Sequence, residues 1–341
     1  MKIAVVASPV TPLRPAQVGG AQAFVCDLAL GLVARGHDVT LHCAEGSDVP
    51  GVRLATVPAP RDAAAALVMP GGPDPPFAPG VAAALEAMFK SIGDDVEVIS
   101  QHAFDAPAFA LAKGRPVLHT LHLPPIVAAV VAAAQTVSTA HLAAVSHASA
   151  RTWASAGVEV GEVLANGIPD YPLSGSGHER VALVAGRISP EKGIEHAVAA
   201  ARRAGVPVRL AGAHYDPSYA PDLAGVELLG SLRREELRDV MARSAVTICA
   251  VRWEEPFGMV AAEAQMAGCP VAAYRRGAMP EVVEDGVSGV LAEPDDVAAL
   301  AHAIEGCLGL DRKAVRESAL RRLGLDDCLD RYDAALSRVA R

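Results

Sequence analysis

Aromatic residues make up only 4% of this 341-residue chain, and charged residues only 20%. With 51% hydrophobic residues and an abundance of alanine and valine, the composition excludes a disordered class. It predicts a globular α/β protein of two domains with aliphatic cores. The six cysteines (Cys26, Cys43, Cys249, Cys269, Cys307 and Cys328) are scattered and form no C-x-x-C pair. Their apolar contexts predict buried free thiols in a reducing compartment, not disulfides or zinc sites. No apolar run is long enough to span a bilayer; residues 126–136 are too few and too rich in alanine. The opening M-K-I-A-V-V-A-S-P-V-T-P reads as a first core strand, not a signal peptide, so a cytoplasmic protein is expected. A net charge of −9 argues against nucleic acid or an anionic membrane as partner. The G-x-G-x-x-G fingerprint of nicotinamide-dinucleotide binding is also missing.

What is present centres on residues 251–274, V-R-W-E-E-P-F-G-M-V-A-A-E-A-Q-M-A-G-C-P-V-A-A-Y. An apolar run over 246–251 leads to the adjacent carboxylates Glu254 and Glu255 and a Pro-Phe-Gly turn. A helical pattern follows over about 259–267, Gly268 and Pro270 stop it, and 271–273 reads as the next buried strand. This is a strand–loop–helix–strand unit of a doubly wound sheet, where ligands bind beyond the carboxyl ends of the strands. The amides of Phe257, Gly258, Met259 and Val260 at the helix start suit an anion, and Gly258 lets a ligand approach the backbone. Taken locally, Glu255 reads equally as a helix-cap acid and Glu263 as a solvated helix residue. The surrounding Ala261, Ala262, Ala264 and Ala267 instead suggest a buried helix, where an unpaired carboxylate is expensive.

The N-terminal half begins with a strand over 3–7, a turn at Gly19-Gly20, a helix ending at Arg35-Gly36 and a strand over 39–43. Strands are also expected over 96–100 and 117–120, with His119, Thr120 and His122 at or past the end of the second, and Ser146 caps a further helix. A Gly/Pro/Ser-rich linker spans 166–180. A second sheet opens at 181–184 and runs into G-R-I-S-P-E-K-G, where Gly186 permits close approach and Arg187 and Lys192 place two cations at a strand end. From about 294 to the end the pattern is helical.

The segment E-P-F-G-M-V-A-A-E-A-Q-M-A-G-C-P-V resembles the E-x7-E segment of glycosyltransferase family 4, retaining enzymes of the GT-B fold. G-R-I-S-P-E-K-G resembles that family's G-R-x-x-x-E-K-G signature, whose Arg and Lys hold the donor diphosphate; here they are Arg187 and Lys192, with Gly186 beside them. G-G-A-Q-x-F-V-x-D-L-A is similar to the first helix, whose glycine loop (Gly19, Gly20) faces the diphosphate and the acceptor. P-V-L-H-T-L-H is similar to the Thr-x-His element, which makes His122 the histidine that reaches the donor sugar. V-E-L-L-G-S-L, holding Leu229, resembles the strand and turn that line the nucleobase pocket. The resemblance places Glu255 beside the donor sugar and Glu263 beside the ribose hydroxyls. Pro169 stands where the family's hinge usually has Asp, Ala278 replaces a common glycine, and G-A-H-Y-D-P replaces a G-x-G loop, which leaves the roles of His214 and Tyr215 open.

The resemblance implies two Rossmann-like domains facing each other across a cleft. The acceptor-side domain is expected over 1–165 and the donor domain over 181–324, with the last helix, about 325–341, returning to the first. It further implies a retaining transfer from a nucleotide-diphosphate sugar to a hydroxyl acceptor, Glu255, Arg187, Lys192 and His122 being the catalytic residues. GT-A enzymes place a metal with D-x-D; the chain has none, so neither a metal nor another cofactor is expected. The alanine-, valine- and arginine-rich style suggests a saccharide or antibiotic-type intermediate as acceptor. A nucleotide-sugar epimerase of the same fold and a non-catalytic nucleotide-sugar-binding protein are the alternatives.

Overall fold

The computed structural model describes residues 1–16, 20–66, 74–172, 179–214 and 218–341. The chain divides into two compact units, Met1–Gly167 with Asp326–Arg341, and Ile168–Leu325. Each is a parallel sheet with helices around it, a Rossmann-like domain.

In the first unit, β1 (Lys2–Val6) leads through α1 (Gly20–Ala34) to β2 (Asp38–Ala44) and β3 (Arg53–Val57). Then come α2 (Pro79–Ser91), β4 (Val98–Gln101), α3 (Ala106–Leu111), β5 (Val117–Leu121), α4 (Ala128–Ala134), β6 (Leu142–Ala144), α5 (His147–Ser155) and β7 (Glu162–Val163). The sheet order is β3-β2-β1-β4-β5-β6-β7, parallel throughout. Because both faces are covered, β4, β5 and β6 are buried along their whole length. Ser146 caps α5 by accepting the Ser149 amide.

The second unit runs β8 (Glu179–Ala185), α6 (Ile194–Arg203), β9 (Val208–Ala211), β10 (Glu227–Gly230), α7 (Arg234–Arg243), β11 (Ser244–Cys249), α8 (Met259–Met266), β12 (Val271–Tyr274), α9 (Met279–Val282), β13 (Gly289–Ala292), α10 (Val297–Cys307) and α11 (Arg312–Leu323). Its order, β10-β9-β8-β11-β12-β13, reverses direction between β8 and β11. The loops after those two strands therefore diverge and leave a crevice for a ligand. Ile168 and Gly324 are bridged where the chain enters and leaves this unit, Ile168 donating to Leu323 and accepting from Leu325.

The last helix, α12 (Leu325–Val339), belongs to the first unit from Asp326 onward. Gly31 of α1 has no side chain because Leu329 occupies that space: an added Cβ would lie 2.5 Å from it. Arg35 donates to Asp330, Asp333 and the Asp326 carbonyl, His37 meets Asp333 at 2.6 Å, and Thr120 and Tyr332 share a hydroxyl pair at 3.3 Å.

Four elements carry little sequence signal. β3 is an edge strand, β7 has two residues, and α4 is a short run of Ala and Val. In α7 only two apolar residues are buried, Leu237 and Met241 one turn apart, inside a charged segment. All six cysteines are free and buried, and burial pushes the thiols of Cys249 and Cys328 up to about 12. Among the described residues no helix is long and apolar enough to cross a membrane.

Candidate functional site

The loops after β8 and β11 meet through Lys192 and Glu255. After β8, Gly186 adopts φ +130° with open space beside it, while a Cβ on the neighbouring Gly212 would lie 1.8 Å from the Gly186 carbonyl oxygen. Three strand ends thus finish in glycine, Gly186, Gly212 and Gly230, which keeps the carboxyl edge of β8, β9 and β10 open to a ligand. Arg187 then donates to Glu191 at 3.0 Å; Glu191 is buried and also accepts from Ser189 at 2.7 Å. The Glu191 carbonyl accepts the Arg252 amide, tying the β8 loop to the β11 loop. Gly193 (φ +62°) seals the same junction, since a Cβ there would lie 1.9 Å from the Ala250 carbonyl oxygen.

Lys192 donates to Glu255 at 2.8 Å, and the Trp253 indole donates to the same carboxylate oxygen at 2.7 Å. The ammonium also lies 5.2 Å from the Trp253 ring centre. The side chains of Lys192 and Glu255 remain 20% and 13% exposed, so both reach solvent. Gly277 and Ala278 back Glu255: Ala278 donates to its carbonyl, and a Cβ on Gly277 would lie 2.4 Å from its amide. Gly258 (φ +95°) caps α8, accepting from Ala262 at 3.1 Å, and its missing side chain makes room for Met279. The first residues of α8, Met259 and Val260, therefore present a helix N-terminus directly after the Glu255 turn, with Phe257 buried beneath it.

Glu263 lies deeper. It is buried and receives the Arg234 guanidinium at 2.6 Å, with Arg238 at 4.0 Å. The expensive buried carboxylate is thus charge-paired by a residue of α7. Tyr171 donates to the Glu263 carbonyl and stacks under Arg238 at 4.1 Å, and burial pushes its phenol well above the ordinary range. Leu229 is half-buried in β10, beside the exposed Leu228. Among the described residues no group of three His, Cys, Asp or Glu side chains is arranged to hold a metal ion.

In the first unit, Gly20 opens α1, while Gly19 lies outside the described residues, as does Tyr215 of the second. His122 follows β5, buried, with its Nε2 2.8 Å from His102 Nδ1; His102 Nε2 is 2.8 Å from the Ser100 hydroxyl. Phe24 and Tyr332 pack around the two rings. Burial holds the His122 imidazole down at about 4 and His102 well below its ordinary value. His119 is inside β5, stacked on Phe109 at 4.7 Å, and burial lowers it to about 3.

Two family models cover most of the chain. Residues 18–170 match Glycosyltransferase Family 4, and residues 174–319 match Glycosyl transferases group 1. Side by side, these matches make the chain a glycosyltransferase of the family 4 and group 1 class.

Its similarity to curated members of that wider group is partial. It is 31% identical over 160 residues to a glycogen synthase of Mycobacterium tuberculosis, covering 43% of this chain and 38% of the relative. It is 38% identical over 95 residues to a D-inositol 3-phosphate glycosyltransferase of Mycobacterium sp., covering 28% of this chain and 21% of the relative. The match therefore spans less than half the length of these relatives. Among solved structures, a glycosyltransferase involved in avilamycin A biosynthesis is 23% identical with a TM-score of 0.73, covering 99% of this chain and 97% of its own. The Anabaena protein HepE in complex with UDP is 22% identical with a TM-score of 0.74, covering 99% and 100%. These likenesses establish the GT-B fold of this chain.

Four polar partners of these residues, three in the second unit and one in the first, escape sequence reasoning. Trp253 stood two residues before Glu255 and could have been found from that spacing. Arg234, Arg238 and His102 carry no such local mark, because their partners lie 20 or more residues away.

Proposed function

We propose that this chain is a retaining, metal-independent glycosyltransferase that moves a sugar from a nucleotide-diphosphate sugar to a hydroxyl acceptor. The observation that carries the reading is the Lys192–Glu255 pair held by Trp253, beside Arg187 and the N-terminus of α8. A diphosphate leaving group gains negative charge in the transition state, and fixed cations with helix amides stabilise it most at that point. Arg187 and Lys192 supply that charge without a metal's coordination shell. Glu255 orients the sugar, Glu263 accepts from the ribose, Leu229 lines the base pocket through its backbone, and His122 serves the donor sugar. Structural neighbours described in complex with UDP and with UDP-glucose favour a uridine donor. A saccharide or antibiotic-type intermediate is the proposed acceptor, in keeping with the fold shared with an avilamycin A glycosyltransferase. Six free buried thiols suit a cytoplasmic setting.

The test is titration with UDP, ADP, GDP and dTDP, then product analysis with the matching nucleotide sugar and a saccharide panel in chelator. Transfer in chelator, with the anomeric configuration kept, is expected. Activity that vanishes in chelator and returns with magnesium or manganese contradicts metal independence. Conversion of the donor to a second nucleotide sugar without acceptor would assign an epimerase instead.

A further inference from the structure

Ser100, His102 and His122 form a buried hydrogen-bonded chain in the first unit, Oγ to Nε2 and Nδ1 to Nε2, both at 2.8 Å. Ser100 is fully buried, and His102 and His122 are 6% and 7% exposed. Phe24 and Tyr332 hold the ring planes, and the His102 amide is itself fixed by the Val6 carbonyl at 2.8 Å. Two neutral imidazoles sharing one hydrogen bond must take opposite roles, one donating and one accepting. Burial disfavours charge on either ring, and no ionised neighbour offsets it for His122.

The direction of the chain follows from its inner end. Among the described residues the Ser100 hydroxyl has His102 as its one side-chain partner. If His102 Nε2–H donated to Ser100, the buried hydroxyl hydrogen would be left without an acceptor. Buried orphan donors are rarer and costlier than under-used lone pairs. Ser100 therefore donates to His102 Nε2. His102 then carries its proton on Nδ1 and donates to His122 Nε2, so His122 must carry its proton on Nδ1. Among the described residues that Nδ1 has no hydrogen-bond partner in the protein, but it is not one of the enclosed unpartnered atoms, so its N–H is open to water or a ligand where the fully buried Ser100 hydroxyl is not.

We propose that Ser100 and His102 are positioning residues that fix His122 as the neutral Nδ1–H tautomer, so that His122 serves its ligand as an uncharged hydrogen-bond donor to a sugar oxygen. The tautomer assignment stands on the geometry alone; its use toward a sugar rests on the proposed function of His122. Neither Ser100 nor His102 needs to touch substrate for this role.

Imidazole 15N NMR on the wild-type protein reads the tautomer directly. The expected spectrum has His122 protonated on Nδ1 and unprotonated on Nε2 at neutral pH; protonation on Nε2 overturns the assignment, whatever the activity. His102→Phe removes the donor and is expected to lower turnover about tenfold, the worth of one hydrogen bond, with nucleotide diphosphate affinity unchanged. His102→Asn keeps an N–H near the Nδ1 position and should restore most of that loss. Equal losses in His102→Phe and His102→Asn, both folded, would reduce His102 to a packing residue and overturn the positioning role. Full turnover in His122→Ala with the Nδ1–H tautomer intact in the wild type would instead overturn the assignment of His122 to the sugar.

Discussion

The two units share a fold but hold their polar residues by opposite means. In the second unit the charged groups around the β8 and β11 loops and under α8 are ions in pairs: Lys192 with Glu255, Arg187 with Glu191, Arg234 with Glu263. In the first unit the groups at the equivalent strand ends are neutral imidazoles, His102 and His122, desolvated together without a counter-charge. Ion pairs at strand ends suit an anionic ligand and tolerate partial exposure, whereas neutral hydrogen bonds suit hydroxyl groups and require burial. Under the proposed function, the ion pairs would serve the diphosphate and the imidazoles the sugar hydroxyls. The contrast also makes the two units differ in how they fail.

Acid should produce the largest difference. Burial lowers His42 and His122 to about 4 and His119 to about 3, and His102 well below its usual value. Each is neutral when folded and protonates near 6.5 when unfolded, so the unfolded state binds more protons between the two values. Stability is therefore full above about pH 6.5 and falls as pH drops toward 4, by about 3 kcal/mol for a histidine lowered to about 4. Asp105, raised by burial, works in the opposite direction over the carboxylate range. The two tryptophans report separately, the fully buried Trp153 in the first unit and Trp253 in the second. Single-tryptophan variants should show the Trp153 environment lost between pH 6.5 and 4; a Trp153 signal unchanged to pH 4 would erase the contrast.

Glu263→Ala comes next. It removes the buried carboxylate that Arg234 and Arg238 face, which is expected to cost about 3–5 kcal/mol in denaturant unfolding of the second unit. Replacing both Glu263 and Arg234 with apolar residues should recover much of this. A loss of nucleotide affinity with no loss of stability would instead make Glu263 a ligand contact alone.

Glu255→Gln carries the smallest effect. Turnover should fall about tenfold, as for one lost charge-assisted hydrogen bond, while binding of free nucleotide diphosphate holds within about twofold. Steady-state kinetics and titration separate the two, and weakened nucleotide binding at normal turnover would contradict the placement of Glu255 at the sugar.

Much of this was legible in the sequence, and unevenly. The strand–glycine–helix punctuation around Gly186, Gly258 and Gly268 is local, so the second sheet and its cationic strand end could be read directly. The alanine run around Glu263 signalled a buried carboxylate, but its partner Arg234 sits 29 residues away on a helix with two core residues, invisible without the fold. His122 was marked by its strand, while its pairing with His102 depends on β4 and β5 lying side by side. Glu255 and Lys192 read as separate groups in the sequence; the structure joins them in one ion pair 63 residues apart.

The most direct test of the charged site compares nucleoside and nucleoside diphosphate binding with turnover in Arg187→Ala and Lys192→Ala. Each folded variant should bind the nucleoside as the wild type does, bind the diphosphate less well, and lose on the order of 10²–10³ in turnover, because their charge counts most as the leaving group forms. Near-normal turnover in either variant, or a wild type that binds no nucleoside diphosphate, would contradict the account.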